Sequence, residues 1–446
     1  MKKHVIQVEE RPPLLKAIPL SVQHLFAMFS ASVLVPTLLG INPAVVLFMN
    51  GVGTLIYILM TKGKAPAYLG SSFAYISPAQ VVIAGTGLGY AYALGGFVVT
   101  GALFCVVALI IKFCGTKWID VILPPAAMGA VIALIGLELA KNAAEMGGLV
   151  LHGDYTKIDP RNVIVFLITL CVAVFGSVLF KKFLSVIPIL IAIIVGYVAA
   201  NCFGLVEWGK VAAAPVFAIP QFQLAKFDWR AISVILPATL VVVSEHIGHQ
   251  IVTGKIIGRD LIKNPGLHRT LMGDGLSTML SGLVGSVPTT TYGENIGVMA
   301  MTGVYSVWVI GGTAVISIII SFFGKVSAVI QEIPQPVMGG VSFLLYGMIA
   351  TSGIRLLVEQ KVDYSRSRNL AMTSVILVTG LSGAFIQINE VKLSGMSLGA
   401  CVAMLMGIIF WAIDKFHAAN DYDDEPQEDA EADSPIVASE SANSSK

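Results

Sequence analysis

Apolar residues form long continuous runs along this chain, and short polar segments separate them. A membrane-spanning helix needs about 20 predominantly apolar residues. About fourteen runs approach that length, which predicts an all-α polytopic membrane protein with 14 transmembrane segments. The predicted spans cover residues 17–40, 43–61, 67–83, 91–113, 119–140, 161–180, 184–206, 231–254, 269–286, 289–302, 304–324, 334–356, 368–386 and 394–416.

Spans three (67–83) and ten (289–302) are short, rich in glycine and interrupted. The stretch SVPTTTYGENIGVMAMTG (286–303) opens with a β-favouring run of threonines, turns at Gly293 and offers Glu294 where a helix could start. Lipid satisfies no backbone N–H or C=O group, so extended backbone at membrane depth must be buried in protein or line a cavity. We therefore interpret this stretch as half of a binding site.

Composition supports the same class of protein. The chain has 446 residues, of which 56% are hydrophobic and 12% charged, and its mean hydropathy is +0.82. These values argue against a soluble fold. The net charge of +1 offers no general attraction for nucleic acid. The five cysteines are dispersed through apolar segments without metal-ligand spacing, so we expect small buried apolar residues rather than ligands.

Lys and Arg residues are distributed unevenly between alternate loops. If the amino terminus is cytoplasmic, 20 of the 28 lie on the cytoplasmic side. This asymmetry predicts an even number of spans with both termini cytoplasmic. The amino-terminal residues 1–16 are polar and lack a cleavage pattern, so we expect the first span to be retained.

Internal similarity indicates two repeats. Four pairs of similar stretches occur in the same order, at offsets that fall from 219 to 207 residues. Two repeats of about seven spans follow, and the odd number forces the second to be inverted in the membrane. Inverted repeats place a substrate site where their broken helices meet. The pairs are SSFAY (71–75) with TTYGE (290–294), LGGF (94–97) with IGGT (310–313), LPPAAMGAVIALIG (from 123) with IPQPVMGGVSFLLY (from 333), and RNV (from 161) with RNL (from 368).

Ionisable residues within the eighth span are the clearest candidates for chemistry. Glu245 and His249 stand four residues apart and so share one helical face, whereas His246 points elsewhere and is expected to pack or bond locally. A carboxylate at membrane depth is costly and by default marks a functional site, although a hydrogen-bonded pair locking two helices is the alternative. Apolar surroundings favour protonation of Glu245, whereas a positive helix end favours charged Glu294. We predict proton uptake by Glu245 with His249, and a fixed acceptor at Glu294.

Other polar residues in the spans are weaker candidates. Glu138 ends span five and could be interfacial, Asp274 could support the site indirectly, and His24 is expected to be a packed polar residue. The acidic tail 420–446 is almost free of large apolar residues, which predicts disorder. Motifs of hydrolases and ATP-driven pumps do not stand out, which argues against an enzyme.

The motif ENIGVMAMTG (294–303) fits the signature (Q/E/P)-N-x-G-x-x-x-x-T-(R/K/G) of the nucleobase-ascorbate transporter family, also called nucleobase:cation symporter 2. PLSVQHLFAMF from Pro19, GKAPAYLGSSFA from Gly63 and SEHIGH from Ser244 also resemble that family, and in particular its uracil branch. The resemblance runs from about residue 8 to residue 416. Gly303 replaces the Arg of some members, a choice that the signature allows.

The resemblance implies a fold of two inverted seven-segment repeats. Short antiparallel strands would lead the broken segments 3 and 10. A core, substrate-binding domain would comprise residues 17–113 and 231–324, and a gate domain residues 119–206 and 334–416. The family also suggests a homodimer formed through the gate domain.

The resemblance also implies the roles of site residues. Glu245 and Glu294 match the substrate-binding carboxylates, and His249 matches the histidine implicated in proton coupling. The remaining binding positions include two whose backbone groups meet the base, one that flanks it, and three that line the site or its gate side: Phe73 and Gly293, Tyr292, and Ala31, Ser72 and Tyr346.

The function implied is import of uracil across the bacterial cytoplasmic (inner) membrane by proton symport with alternating access. No cofactor is expected, and the partners are uracil and membrane lipid. Xanthine, uric acid or another nucleobase is the nearest alternative substrate. An anion carrier of the related sulfate or bicarbonate fold, or a channel or receptor, is the alternative class; an anion site should present a cation or backbone donors.

Overall fold

The structure, a computed structural model, describes residues 5–85, 87–150, 158–181, 184–185, 187–388 and 391–416. It is mostly helical. The predicted disordered tail, 420–446, lies outside the described residues. The helices are α1 (Leu14–Leu39), α2 (Pro43–Met60), α3 (Ile76–Gln80), α4 (Tyr90–Cys114), α5 (Lys117–Ile122), α6 (Pro125–Met146), α7 (Pro160–Leu179), α8 (Pro188–Cys202), α9 (Trp208–Ala213), α10 (Trp229–Ile235), α11 (Ala238–Ile257), α12 (Leu267–Val284), α13 (Gly293–Thr302), α14 (Val307–Ser321), α15 (Gly324–Gln331), α16 (Gln335–Glu359), α17 (Ser367–Leu381) and α18 (Gly395–Lys415).

Two small antiparallel sheets complete the fold. The first pairs β1 (Leu69–Ser71) with β2 (Thr289–Thr291), and the second pairs β3 (Phe385–Ile388) with β4 (Val391–Ser394). The β3–β4 pair was not predicted, because most of its residues lie between predicted spans 13 (368–386) and 14 (394–416) and were assigned to no element.

Proline marks the start of many of the helices. At α2, Pro43 occupies the first turn and the Asn42 side chain accepts a hydrogen bond from the N–H of Ala44 at 2.8 Å. Proline has no N–H to leave unsatisfied there, and its fixed φ suits a helix start. The same property divides predicted span five at Pro124 and Pro125, so α5 ends at Ile122 and α6 begins two residues after Leu123.

Membrane-spanning candidates are numerous among the described residues. Seven helical segments are long and apolar enough to cross a bilayer, and three shorter apolar helices accompany them. The chain is therefore a multi-pass membrane protein, whereas the count of 14 spans and the inverted repeat stay predictions. The shorter helices are Phe73–Ala84, Pro188–Cys202 and Val307–Ser321.

Three helix pairs pack most extensively: α6 with α16, α4 with α12, and α2 with α14. A glycine lies at each contact. A Cβ on Gly101 of α4 or on Gly353 of α16 would lie 2.4 Å from a backbone nitrogen of the facing helix, and one on Gly51 of α2 would lie 2.5 Å from a carbonyl oxygen of α14. Small residues let backbones approach closely, which is how helices associate in lipid.

The amino-terminal segment is anchored to the protein. The N–H of Ile6 donates to the carbonyl of Gly303 at 2.9 Å, and the N–H of Tyr305 donates back to Ile6 at 2.8 Å. Val8 is fully buried, and its carbonyl accepts from Val307. This segment therefore lies directly against the chain that follows α13.

Candidate functional site

The two interrupted segments meet as a pair of short strands. Leu69 lies opposite Thr291, and Ser71 lies opposite Thr289. The N–H of Ser72 extends the pairing to the carbonyl of Pro288 at 2.9 Å. A short helical turn leading into α3 begins just after β1, and α13 begins just after β2, so both broken helices start beside the same strand pair. The antiparallel strands predicted for segments 3 and 10 are thus present.

Hydroxyl groups satisfy the outer edges of this strand pair. The Oγ1 of Thr54 on α2 accepts from the N–H of Leu69 at 2.9 Å. On the other edge, the Oγ1 of Thr278 on α12 accepts from the N–H of Thr289 at 3.2 Å and donates to its carbonyl at 2.9 Å. Strand backbone within a membrane protein requires such partners. The two strands are thereby fixed between α2 and α12.

Tyr292 fastens the two strands to each other. Its hydroxyl donates to the carbonyl of Ser71 at 2.8 Å, and only 4% of the residue is exposed. A Cβ on Gly70 would lie 1.7 Å from the Cε2 atom of the Tyr292 ring. The ring therefore covers a position where only glycine fits.

Helix α11 brings Glu245 and His249 to the start of α13. Both side chains are partly buried, and they occupy the same face, as predicted. The Nδ1 of His249 lies 3.1 Å from the Oγ1 of Thr291, and its Nε2 would lie 3.5 Å from a Cβ on Gly293. His249 is thus held against the junction between β2 and α13.

Glu294 lies in the first turn of α13, where the positive end of the helix favours a carboxylate. Helix α11, which carries Glu245, packs directly against α13. Among the described residues, neither carboxylate forms a hydrogen bond or ion pair with another residue. Glycine at positions 293 and 297 leaves the same side of α13 exposed. Two carboxyl groups without protein partners therefore lie on or beside this helix, which has an open side.

The side chains of Phe73 and Tyr346 are in contact at the start of broken segment 3. Their rings lie edge to face with centroids 6.4 Å apart, and the Tyr346 hydroxyl is buried without a hydrogen-bond partner among the described residues. Ser72 is buried beside Phe73, and its hydroxyl also lacks such a partner. Ala31 lies in α1, and its side chain lies outside the described part of the chain. The structure thus brings together Phe73, Ser72 and Tyr346.

Three further buried hydrogen bonds join separate parts of the chain. The Nδ1 of His246 lies 2.9 Å from the Oδ2 of Asp274 on α12, and both side chains are fully buried. The amide Nδ2 of Asn295 lies 2.9 Å from the Nδ1 of His24, and its Oδ1 accepts from the N–H of Tyr68 at 3.3 Å. Sequence analysis did not connect Asn295 with His24, although both are polar residues within apolar spans and Asn295 follows Glu294 in the signature.

No group of three or more His, Cys, Asp or Glu side chains that could hold a metal ion occurs in the part of the chain that the structure describes. The polar groups at the site are carboxyl groups, histidine, hydroxyls and the N–H groups at the helix starts.

Comparison with known proteins connects this site to one family. The model of a permease family, Xan_ur_permease, matches residues 15–388. A uracil permease of Paenibacillus larvae is 55% identical over 423 residues, which cover 94% of this chain and 100% of the relative. A uracil permease of Escherichia coli K12 is 55% identical over 92% of this chain and 95% of the relative, and one of Bacillus subtilis is 46% identical over the same shares.

Solved structures share the fold at much lower identity. The transmembrane domain of the cyanobacterial bicarbonate transporter BicA matches with a TM-score of 0.59 and 14% identity, covering 93% of this chain and 100% of that domain. The murine anion transporter Slc26a9 in its inward-facing state matches with a TM-score of 0.68 and 8% identity, covering 91% of this chain and 69% of the other. At these identities the likeness concerns the fold alone.

Proposed function

Because this chain belongs to the permease family, whose members are transporters and not enzymes, we propose that it imports uracil across the bacterial cytoplasmic membrane by proton symport with alternating access. One observation carries the proposal. Two carboxylates and a histidine, supplied by α11 and α13, converge where the two broken helices begin. The relatives that are 55% identical over almost the whole chain are named uracil permeases.

Uracil matches the hydrogen-bonding groups of this site. The base presents two ring N–H donors and two carbonyl acceptors, and ionised carboxylates can only accept. Glu245 and Glu294 would accept from the ring N–H groups. Backbone N–H groups at the starts of the broken helices, at Phe73 and Gly293, would donate to the carbonyl oxygens.

The flat faces of uracil suit aromatic neighbours. The rings of Phe73 and Tyr346 lie edge to face at the start of broken segment 3, and aromatic rings bury planar apolar surface well. Tyr292 would flank the base with its ring, since its hydroxyl is engaged by Ser71. Ser72 and Ala31 would line the remaining wall.

Proton coupling is assigned to Glu245 and His249. They share a face of α11, and His249 is oriented by the Thr291 hydroxyl. Uptake of a proton in this pair would remove or redistribute charge beside the bound base. Substrate occupancy and protonation would thereby be linked, and a proton gradient could drive accumulation.

The proposed architecture has 14 transmembrane segments in two inverted repeats, a core domain and a gate domain, and cytoplasmic termini. The packing is compatible with it, because α2 with α14 and α4 with α12 are pairs that a repeat of seven segments would interchange. The proposal also includes a homodimer formed through the gate domain.

An anion carrier is the rival class, because the solved structures with this fold include bicarbonate and anion transporters. The residues of α3 and α13, and residues 238–252 of α11, contain no Lys or Arg. Two carboxylates on segments without Lys or Arg would repel an anion. These charges favour a neutral nucleobase, with xanthine or uric acid as the nearest substrate alternative.

Binding to the purified protein tests the substrate. We expect labelled uracil to bind, and excess xanthine or bicarbonate to leave that binding unchanged. Glu294→Gln should weaken binding by about tenfold or more, because an amide replaces a charged acceptor. Glu359→Gln, at the end of α16, is the matched control and should bind as the wild type does. Displacement of uracil by xanthine would change the assigned substrate, and wild-type affinity in Glu294→Gln would remove Glu294 from the site.

A further inference from the structure

Glu138 on α6 joins three separate parts of the chain. The Ser77 hydroxyl of α3 donates to its Oε1 atom at 2.6 Å. The N–H of Met396, in the first turn of α18, donates to its Oε2 atom at 2.9 Å. Hydrogen bonds to a carboxylate are stronger than those between neutral groups. The Glu138 side chain therefore connects broken segment 3 to α6 and α18, two helices assigned to the gate.

The chain around α18 accommodates this carboxylate closely. Gly395 has a φ of +54°, and a Cβ on it would lie 1.8 Å from the Oε1 of Glu138. Both the backbone conformation and the space therefore require glycine. A negative charge at the amino-terminal end of α18 is also favoured by the helix dipole. Glu138 is thus packed against the amino-terminal end of α18 rather than lying at an interface with lipid.

A second polar contact runs parallel to the first. The Nδ2 of Asn142 on α6 donates to the Oε1 of Gln80 on α3 at 3.3 Å. Ser77 and Gln80 lie three residues apart, and Glu138 and Asn142 lie four apart, so each pair shares one helical face. The two contacts form a short polar seam between α3 and α6.

No equivalent pair of contacts occurs at the other broken segment among the residues that the structure describes. At the repeat offsets of 219 and 210 residues, Ile296 takes the place of Ser77 and Met348 that of Glu138. The polar seam is therefore a property of one side of the site. With the amino terminus cytoplasmic, α18 begins at the outer face, which places this seam in the outer half of the membrane.

We infer that Glu138 is a positioning residue for transport. It holds α3 against the gate in the conformation described, and it releases Ser77 when the core moves to open the outer side. The inference rests on the proposed function, because alternating access requires core and gate to separate. Glu138 acts through α3 and does not touch the substrate in this account.

Ser77→Ala and Glu138→Ala separate the two halves of the contact. Ser77→Ala removes the bond between Glu138 and α3 and leaves the bond to Met396, whereas Glu138→Ala removes both bonds; the Asn142–Gln80 contact is kept in each variant. Ser177→Ala is the matched control, because within the described part of the chain that hydroxyl bonds only to its own helix, at the Ala173 carbonyl 2.7 Å away. Hydrogen exchange of backbone amides in the full-length reconstituted protein measures the opening at each end of the contact.

We expect Ser77→Ala to speed exchange in α3 by about tenfold while the start of α18 exchanges at the wild-type rate. Glu138→Ala should speed exchange at both ends, and Glu138→Gln should restore part of the protection, because an amide can accept from Met396 and contact Ser77. Uracil affinity should stay within about twofold of wild type while the maximal transport rate changes, since the site itself is intact.

Two results would overturn the inference. One is Ser77→Ala behaving as Ser177→Ala does in both exchange and transport rate. The other is a loss of uracil affinity in the Glu138 variants that accounts for their whole loss of transport. If the wild-type protein failed to bind uracil, the proposed substrate would be wrong, and the exchange measurements would still decide whether Glu138 holds α3 to the gate.

Discussion

Glu245 and His249 share a face of α11, but they differ in their hydrogen-bond partners. His249 is oriented by the hydroxyl of Thr291, whereas the Glu245 carboxylate has no hydrogen-bond or ion-pair partner among the described residues. A carboxylate without a partner at membrane depth is costly, which is the pattern of a group that meets a ligand or a proton. The chemistry assigned to this pair therefore depends most on Glu245.

Replacing Glu245 with Gln tests that assignment. The variant keeps the shape of the side chain and cannot change its charge, so uptake should fall by about tenfold or more and should lose its dependence on the proton gradient. Uptake is measured in proteoliposomes at several imposed gradients, with Glu359→Gln as the control. A Glu245→Gln protein with full proton dependence would rule out this residue as the coupling group.

Two glycines in the broken segments should respond differently to alanine. Gly70→Ala places a Cβ 1.7 Å from the Tyr292 ring, so the strand pair must shift at a cost of about 1–3 kcal/mol. Gly293→Ala places a Cβ at an ordinary 3.5 Å from His249, on the exposed side of α13. We expect Gly70→Ala to lower the melting temperature, and Gly293→Ala to melt normally but bind uracil about tenfold more weakly. Equal melting temperatures in the two variants would contradict this distinction.

At the level of single residues, the sequence predicted two geometric features of the candidate site. The spacing of Glu245 and His249 placed them on one face, and the interrupted span placed Glu294 at a helix start. It did not pair Asn295 with His24, or the Tyr292 hydroxyl with Ser71. These contacts join residues more than 200 positions apart, and no local pattern carries their geometry.

The strand pair is the element that aligns both broken helices. Tyr292→Phe keeps the ring over Gly70 and removes the bond to Ser71, so the free energy of unfolding should fall by about 1 kcal/mol. Tyr364→Phe, whose hydroxyl makes an exposed contact with Thr373, is the control. Thermal unfolding in detergent compares the two variants. A larger loss in Tyr364→Phe would show that the Tyr292 hydroxyl does not hold the strands.

Most predicted spans coincide with helices to within a few residues, because long apolar runs are a strong signal. The failures have local causes. Consecutive prolines divide span five, and α6 continues to Met146 rather than to residue 140. The strands β3 and β4 lie mostly between predicted spans 13 and 14, where two four-residue segments of mixed apolar and polar residues carry too little periodicity to predict a strand.

The anchored amino terminus makes one pH prediction. The Arg259 guanidinium donates hydrogen bonds to the exposed Glu9 carboxyl and holds its pKa below the usual value. Since the folded pKa is lowered, the stabilisation is present above the ordinary glutamate pKa of about 4.3 and is lost as the pH falls through the folded value. The effect is small because the pair is exposed to solvent.

Hydrogen exchange at Ile6 and Tyr305, corrected for the intrinsic rate, should therefore increase only below about pH 4. Glu9→Gln should remove that step and leave the pH profile of uptake between 5 and 8 unchanged. A change of the uptake profile in Glu9→Gln would mean that the amino-terminal contact takes part in coupling.

The assembled protein shares its fold with carriers of anions, yet its site carries two carboxylates. A fold alone does not determine a substrate, so the proposed substrate is argued from the carboxyl groups at the junction of the broken helices. Helix order and the broken segments could be predicted from the sequence, because both leave local patterns. The arrangement of α6 and α18 around α3 could not, because it depends on Glu138 meeting Met396 from 258 residues away.

Accumulation of labelled uracil in proteoliposomes under an imposed inward proton gradient tests the proposed transport most directly. A sodium gradient and excess unlabelled xanthine are parallel controls. We predict accumulation that requires the proton gradient and is unaffected by sodium or xanthine. Accumulation driven by sodium, or abolished by xanthine, would contradict the assigned ion or substrate, and a folded protein that accumulates no nucleobase would contradict the assigned function.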